Sequence, residues 1–112
     1  MKGQTLKGHL DLLVLSILAT GPQHGYAVIE QLRTRSGDAF DLPEGTVYPV
    51  LHRLERAGLL DSEWSDESGR RRRTYRLSES GRAALVEERS AWEEFTAAVG
   101  SVLKGAPWPT PT

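Results

Sequence analysis

The stretch from Pro43 to Leu60 limits the possible folds of this chain more than any other segment, because it has the pattern of one amphipathic helix with two different faces. One side is apolar or small at helical spacing, as in a helix that packs into a core. The opposite side suits contact with phosphates and base edges, although an ordinary solvated face has a similar composition. The apolar side comprises Val47, Val50, Leu51, Leu54 and Gly58, and the polar side comprises Thr46, Tyr48, Pro49, His52, Arg53 and Arg56.

Two prolines bear on where this helix begins. Pro43 fits the first turn, because an amide there has no intrahelical partner to lose. Pro49 lies past the first turn of a helix that starts at Glu44, where it removes one backbone hydrogen bond. The sequence therefore predicts either a start nearer Gly45 or Thr46 or a bend at the front end of the helix.

Two further helices are predicted before this stretch. Residues 6 to 20 carry apolar side chains close to the i, i+3, i+4, i+7 pattern, with Thr5 available as an N-cap and Gly21 at the end. The apolar residues occupy more than one side, so we expect this helix to contact a second element or subunit as well as its own core. The next helix is predicted over residues 25 to 35.

A β-hairpin is predicted after the central helix. Residues 60 to 65 alternate in polarity, residues 66 to 69 have turn chemistry, and residues 70 to 77 form the return strand. The alternation predicts Trp64, Tyr75 and Leu77 on the core side and Arg70, Arg72 and Arg76 on the outer side.

Charge is unevenly distributed along the chain. The 112 residues have a formal net charge of −1, yet residues 70 to 76 contain five arginines and no acid. Such segregation predicts a locally positive surface on a nearly neutral molecule. The alternative is that these arginines only protect an exposed strand edge from aggregation.

A last helix is predicted from Glu79 to about Leu103, with Ser78 as its N-cap. Its apolar residues recur in a heptad-like seam that a domain of this size can cover only in part, so we expect burial against a second copy of the chain. The expected dimer interface comprises Leu85, Trp92, Phe95, Val99 and Val102.

Several classes of protein are disfavoured. The absence of cysteine excludes disulfides and thiolate sites, and no apolar run approaches the roughly 20 residues of a membrane span, so we expect a cytoplasmic protein without membrane contact. His9, His24 and His52 fall on three different predicted elements, so neither a metal site nor a cofactor is expected. No nucleophile and base can be paired, which argues against an enzyme.

Three helices followed by a hairpin occur in this order in the winged helix-turn-helix, whose third helix enters the major groove while the hairpin, or wing, contacts the backbone or the minor groove. The motifs resemble those of the PadR family of bacterial transcriptional regulators from residue 6 to about residue 103. The most specific string is Gly-Thr-Val-Tyr-Pro-Val-Leu-His-Arg-Leu-Glu-Arg-Ala-Gly-Leu at residues 45–59, and the resemblance also includes residues 24–26, Trp64, residues 69–78 and residues 81–82.

The resemblance implies a mainly α-helical fold with a small β-hairpin. The implied parts are a winged helix-turn-helix DNA-binding domain at residues 1–78, a long C-terminal dimerisation helix at residues 79–104 and a flexible proline-rich tail at residues 105–112. It also implies a homodimeric repressor that binds a pseudo-palindromic double-stranded DNA operator and is released by a small aromatic, cationic or drug-like ligand. The alternative is a winged-helix module that docks a protein.

Carried over position by position, the resemblance assigns DNA contact to two groups of residues. Side-chain chemistry agrees, since an arginine can donate two hydrogen bonds to guanine or hold a phosphate. For Tyr48 the alternative is partial packing at the edge of the core. The groups are Thr46, Tyr48, His52 and Arg53 on the helix and Gly69, Arg70, Arg71 and Arg72 in the wing.

Trp92 matches a position at which a family member with multidrug specificity holds flat ligands between one tryptophan from each subunit. The resemblance therefore makes Trp92, with Phe95 beside it, a candidate ligand site. The alternative is that Trp92 only fills the dimer seam, as aromatic residues in heptad positions do.

Overall fold

The computed structural model describes residue 6 and residues 8–66 and 69–110. Thr5, the predicted N-cap, and part of the predicted hairpin turn lie outside this range. Within it, the helices and strands follow the order α1 (Leu10–Leu18), β1 (Gln23–His24), α2 (Gly25–Arg35), α3 (Glu44–Arg56), β2 (Leu60–Ser65), β3 (Arg72–Leu77) and α4 (Glu79–Lys104).

The core forms where α1, α2 and α3 pack together against one face of the sheet. The apolar side of α3 is buried as its periodicity predicts, and α1 packs against α2, α3 and α4, which explains why it is apolar on more than one side. The buried residues of these elements include Leu10, Val14, Leu15, Ile17, Leu18, Val28, Ile29, Leu32, Val47, Val50, Leu51, Leu54, Leu60, Tyr75 and Leu77.

The two ends of α3 agree only in part with what its sequence suggests. The helix begins at Glu44 with Pro43 as the N-cap and continues through the exposed Pro49, so the first of the two predicted alternatives, a start nearer Gly45 or Thr46, is wrong. The carbonyl that the missing Pro49 amide would have bonded belongs to Gly45, which is exposed and can accept from water.

Gly58 ends α3 instead of joining its buried side. It is exposed and has a φ of +80°, a conformation that favours glycine. The Gly58 amide donates to the Glu55 carbonyl (3.0 Å) and the Leu59 amide donates to the Leu54 carbonyl (3.0 Å), the pair of bonds that defines a Schellman motif. Its predicted place on the apolar side is therefore wrong, and the residue instead ends the helix.

The sheet has the strand order β1-β3-β2, and the two-residue β1, which pairs with Thr74 and Tyr75, was not predicted. The predicted hairpin is confirmed, although β3 begins at Arg72 and not at Arg70. Trp64 pairs with Arg73 and shares a face with Tyr75, but its side chain is 54% exposed because the hairpin extends past the edge of the core. We call this hairpin, residues 60–77, the wing.

Helix α4 extends well beyond the core. Ser78 caps it as predicted: its Oγ accepts from the Gly81 amide (3.0 Å) and donates to the Gly58 carbonyl (2.6 Å). The helix has 26 residues, a length of about 39 Å. Only its first turns, including Leu85, pack on the core, and the apolar side chains of Trp92, Phe95, Val99 and Val102 are exposed.

Among the described residues, no helix combines the length and the apolar content that a bilayer span needs.

Candidate nucleic-acid interface

A groove with a volume of about 700 Å³ separates α3 from the wing. It brings together five of the predicted contact residues, Tyr48 and His52 from α3 and Arg70, Arg71 and Arg72 from the wing. The groove lining also includes Tyr26, Trp64 and Arg73, which the sequence did not single out as site residues. No Asp or Glu is among the described residues that line it.

Thr46 and Arg53 lie on the other flank of α3. They border a separate cavity of about 620 Å³, together with Leu10, Pro49 and Arg56. The predicted contacts of α3 therefore occupy both edges of its exposed side. We call that side the recognition face; its residues are Gly45, Pro49, His52, Arg53 and Arg56.

Arg53 is held from a different helix. Its Nη1 donates to Oδ2 of Asp11 (3.1 Å) and its Nη2 donates to Oδ1 of the same carboxylate. Asp11 belongs to the first turn of α1, and this hydrogen-bonded pair raises the pKa of Arg53. No local pattern in the sequence indicates this contact.

The wing is joined to α3 by a small polar network around Glu55. The Glu55 carboxylate accepts from the Ser62 hydroxyl and from Nη2 of Arg73 (3.1 and 3.2 Å), and Nε of Arg73 donates to the Ser62 oxygen (2.7 Å). The Arg73 guanidinium also lies 5.4 Å from the centre of the Trp64 ring, and that of Arg71 lies 4.8 Å from it. These contacts fix the base of the wing relative to α3.

Replacing Glu55 by glutamine is expected to reduce the loss of stability at acid pH. The Ser62 hydrogen bond is the largest cause that lowers the pKa of Glu55 in the folded protein, and Arg73 adds to it. A lowered folded-state pKa contributes stability that is complete above the unfolded value of about 4.3 and is lost as the pH falls through the folded value.

Urea unfolding of wild type and Glu55→Gln between neutral and acid pH measures this effect. The unfolding free energy of the wild type should exceed that of Glu55→Gln by most near neutrality, and this difference should shrink below about pH 4.3. Ser62→Ala, which removes the largest cause, should reproduce part of the change. A constant difference at every pH would contradict the assignment to Glu55.

Tyr48 reaches the groove because Gly25 has no side chain. A Cβ on Gly25 would lie 2.7 Å from Cε1 and 2.9 Å from Oη of Tyr48. The Tyr48 ring is half-buried, and this burial is the main cause that raises its pKa. Tyr48 therefore packs at the edge of the core and lines the groove at the same time.

Gly69 and Trp92 are not among the residues that line the groove. Gly69 is exposed at the wing turn with a φ of +72°, which favours glycine, and it leads into Arg70. On α4, the centre of the Trp92 ring lies 4.8 Å from the centre of the His9 ring, which it meets edge-on. It lies 6.2 Å from the centre of the Phe95 ring. A shallow cavity of about 220 Å³ lies here, which Leu12 and Glu88 also border.

No group of three or more His, Cys, Asp or Glu residues in the described ranges is arranged to hold a metal ion.

Comparisons with known proteins agree with this architecture. The model of the transcriptional regulator PadR-like family matches residues 14–87. Transcriptional regulator Rv3488 of Mycobacterium tuberculosis is 44% identical over 84 residues, which are 75% of this chain and 76% of the relative.

Solved structures give the same result. A PadR family transcription regulator from Clostridium difficile is 33% identical with a TM-score of 0.77, over 85% of this chain and 98% of that one. A second, from Eggerthella lenta, is 33% identical with a TM-score of 0.80, over 92% and 88% of the two chains. The winged-helix fold class is thereby confirmed, and the chain belongs to the PadR family, whose members are transcriptional regulators and not enzymes.

Proposed function

We propose that this regulator is a homodimeric repressor that binds a pseudo-palindromic operator in double-stranded DNA through the recognition face and the groove. The observation that carries the proposal is the placement of Arg70, Arg71 and Arg72, all exposed, beside the polar flank of α3. Phosphate contacts supply most of the affinity of a DNA-binding protein, and base contacts supply its specificity. The wing and the recognition face provide one kind of contact each.

The local charge supports DNA as the partner despite the net charge of −1. Glu55 bonds to Arg73, so it offsets an arginine at the base of the wing, whereas Arg70, Arg71 and Arg72 are exposed to solvent. A field of this kind attracts a polyanion whatever the total charge of the molecule.

The shape of α3 supports its entry into the major groove. Gly45 and Pro49 add little bulk to the recognition face, so the helix backbone can approach base edges closely. His52, Arg53 and Arg56 are exposed around them and carry hydrogen-bond donors that match guanine or phosphate oxygens. Arg56 joins the proposed contacts although it was not among the predicted ones.

The exposed part of α4 supports a two-fold dimer. Phe95, Val99 and Val102 form an apolar surface along a helix that leaves the core, and a second copy would cover it. In this proposal residues 1–78 bind DNA and residues 79–104 dimerise. Two-fold symmetry in the protein then requires an inverted repeat in the operator.

Selection from a pool of random duplexes, followed by titration of the enriched duplex at several salt concentrations, tests the proposal. We expect an inverted repeat to be enriched and log affinity to fall linearly with log salt, with a slope of about −0.9 for each phosphate contact. A pool without an enriched sequence, or affinity that is insensitive to salt, would favour the protein-docking module instead.

Gly25→Ala is expected to weaken DNA binding while the fold is retained. The new Cβ would displace the tip of the Tyr48 side chain, which can rotate, so we expect a stability cost of about 1 kcal/mol. Affinity for the selected duplex should fall to that of Tyr48→Ala. The double variant should bind no more weakly than Tyr48→Ala alone; an additive loss would show that Gly25 acts independently of Tyr48.

The ligand part of the proposal rests on the aromatic surface around Trp92. A planar cation could stack on Trp92 and Phe95, and the Glu88 carboxylate beside them could balance its charge. Titration with a planar cationic dye should quench tryptophan fluorescence saturably and release the selected duplex. Trp108→Phe serves as the control, and a Trp92→Ala protein that binds the dye as tightly as wild type would contradict this part.

A further inference from the structure

The pair formed by Asp11 and Arg53 connects α1 to the recognition face. The two terminal nitrogens of the guanidinium bond to the two oxygens of one carboxylate, an end-on arrangement that fixes the plane of the arginine. Both side chains remain partly exposed, 54% for Arg53 and 32% for Asp11. Exposed ion pairs contribute little to folding stability, so stability does not explain this contact.

The arrangement leaves part of the guanidinium available. Arginine has five N–H donors, and Asp11 takes one from each terminal nitrogen. In the described part of the chain, Nε of Arg53 donates to no acceptor. The N–H groups of Nε and Nη2 therefore form a second pair of donors, on the neighbouring edge of the guanidinium. A pair of donors with this geometry matches O6 and N7 of guanine or two oxygens of a phosphate.

We propose that Asp11 is a positioning residue for sequence discrimination, because it fixes Arg53 so that this second pair of donors points out of the recognition face. The inference rests on the proposed DNA-binding function. An arginine without such a partner has many rotamers and can bond to whichever phosphate is near, which adds affinity for any sequence. An arginine held in one orientation contacts a base edge in one register only.

The charge of Asp11 acts in the same direction. A carboxylate near the recognition face repels phosphates and offsets part of the positive charge of Arg53, so it lowers affinity for DNA of any sequence. Removing the charge while keeping the shape should therefore have two opposite effects. Binding to unrelated DNA should strengthen, and discrimination at one base pair of each half-site should weaken.

Asp11→Asn separates these effects. Its affinity would be measured for the duplex selected by the wild-type protein, for a scrambled duplex, and for a set of duplexes with each base pair of the half-site replaced in turn. We expect roughly tenfold less discrimination at one base pair, unchanged discrimination elsewhere, and tighter binding to the scrambled duplex. In an Arg53→Lys background, Asp11→Asn should cause no further loss at that base pair.

Asp38→Asn is the matched control, because Asp38 also bonds to an arginine at the surface, Arg33 (2.9 Å). It should leave discrimination unchanged. Asp11→Ser provides a second variant if Asp11→Asn does not fold, as judged by its melting temperature.

Two results would overturn the inference while DNA binding stands. One is that the Asp11 variants discriminate at every base pair as strongly as the wild-type protein does. The other is an equal loss of affinity for the selected and scrambled duplexes, which a merely structural role would cause. Failure of the wild-type protein to enrich any sequence would instead overturn the proposed function, and the inference with it.

Discussion

Replacing Gly81 by alanine is expected to destabilise the folded protein by about 3 kcal/mol. Gly81 is buried in the first turn of α4, where a Cβ would lie 2.0 Å from the carbonyl oxygen of Leu59 and 3.0 Å from its carbon. These are backbone atoms, and the same carbonyl accepts from the Ser78 amide (3.0 Å). Neither side can move without breaking the junction between the wing and α4.

Thermal and urea unfolding at one protein concentration would measure this loss, with the melting temperature expected to fall by roughly 10 to 20 °C. Gly45→Ala is the matched control. Gly45 is also in a helix but has open space around its Cβ position, so alanine should be neutral or slightly stabilising there. Equal melting temperatures for Gly81→Ala and wild type would contradict the close approach of Gly81 to Leu59.

Replacing Arg70, Arg71 and Arg72 together by glutamine is expected to lower DNA affinity by at least about a hundredfold, because each hydrogen bond to a charged group contributes about 1.5–3 kcal/mol. The loss should be similar for the selected and the scrambled duplex, since phosphate contacts carry little sequence information. The slope of log affinity against log salt concentration should become shallower by about one unit for each phosphate that the variant no longer neutralises.

The control removes the same charge elsewhere, at the exposed Arg35, Arg82 and Arg89. If the local field of the wing is what attracts DNA, this second triple variant should bind nearly as wild type does. Equal losses in the two triple variants would show that total charge, and not the wing, determines affinity.

Much of the fold was predictable because its signals are local. The spacing of Val47, Val50, Leu51 and Leu54 sets the buried side of α3, and Ser78 has the side chain that an N-cap needs. Strand β1 was not predictable, since its two residues are too few to show alternation and become a strand only when β3 lies beside them. Trp64 follows the predicted register, but the length of the wing exposes it.

The candidate site was predictable in its residue types more than in its arrangement. The arginine run and the polar side of α3 indicated a basic surface, yet the separation of Arg53 from Tyr48 depends on which flank of the helix each occupies. The bond between Arg53 and Asp11 depends on the packing of α1 against α3, which no local pattern encodes. The role of Gly25 depends on its proximity to the Tyr48 ring, which its place in the motif at residues 24–26 does not indicate.

The bonds among Glu55, Ser62 and Arg73 make α3 and the base of the wing behave as one rigid piece. In the proposed complex with an operator, the distance between the bases under α3 and the phosphates under the wing would then be fixed within each half-site. In the proposed dimer, differences in the spacing of the two half-sites would be accommodated where the subunits meet along α4. One base pair inserted at the operator centre should thus be tolerated better than one inserted within a half-site, where it separates contacts that a single subunit makes together.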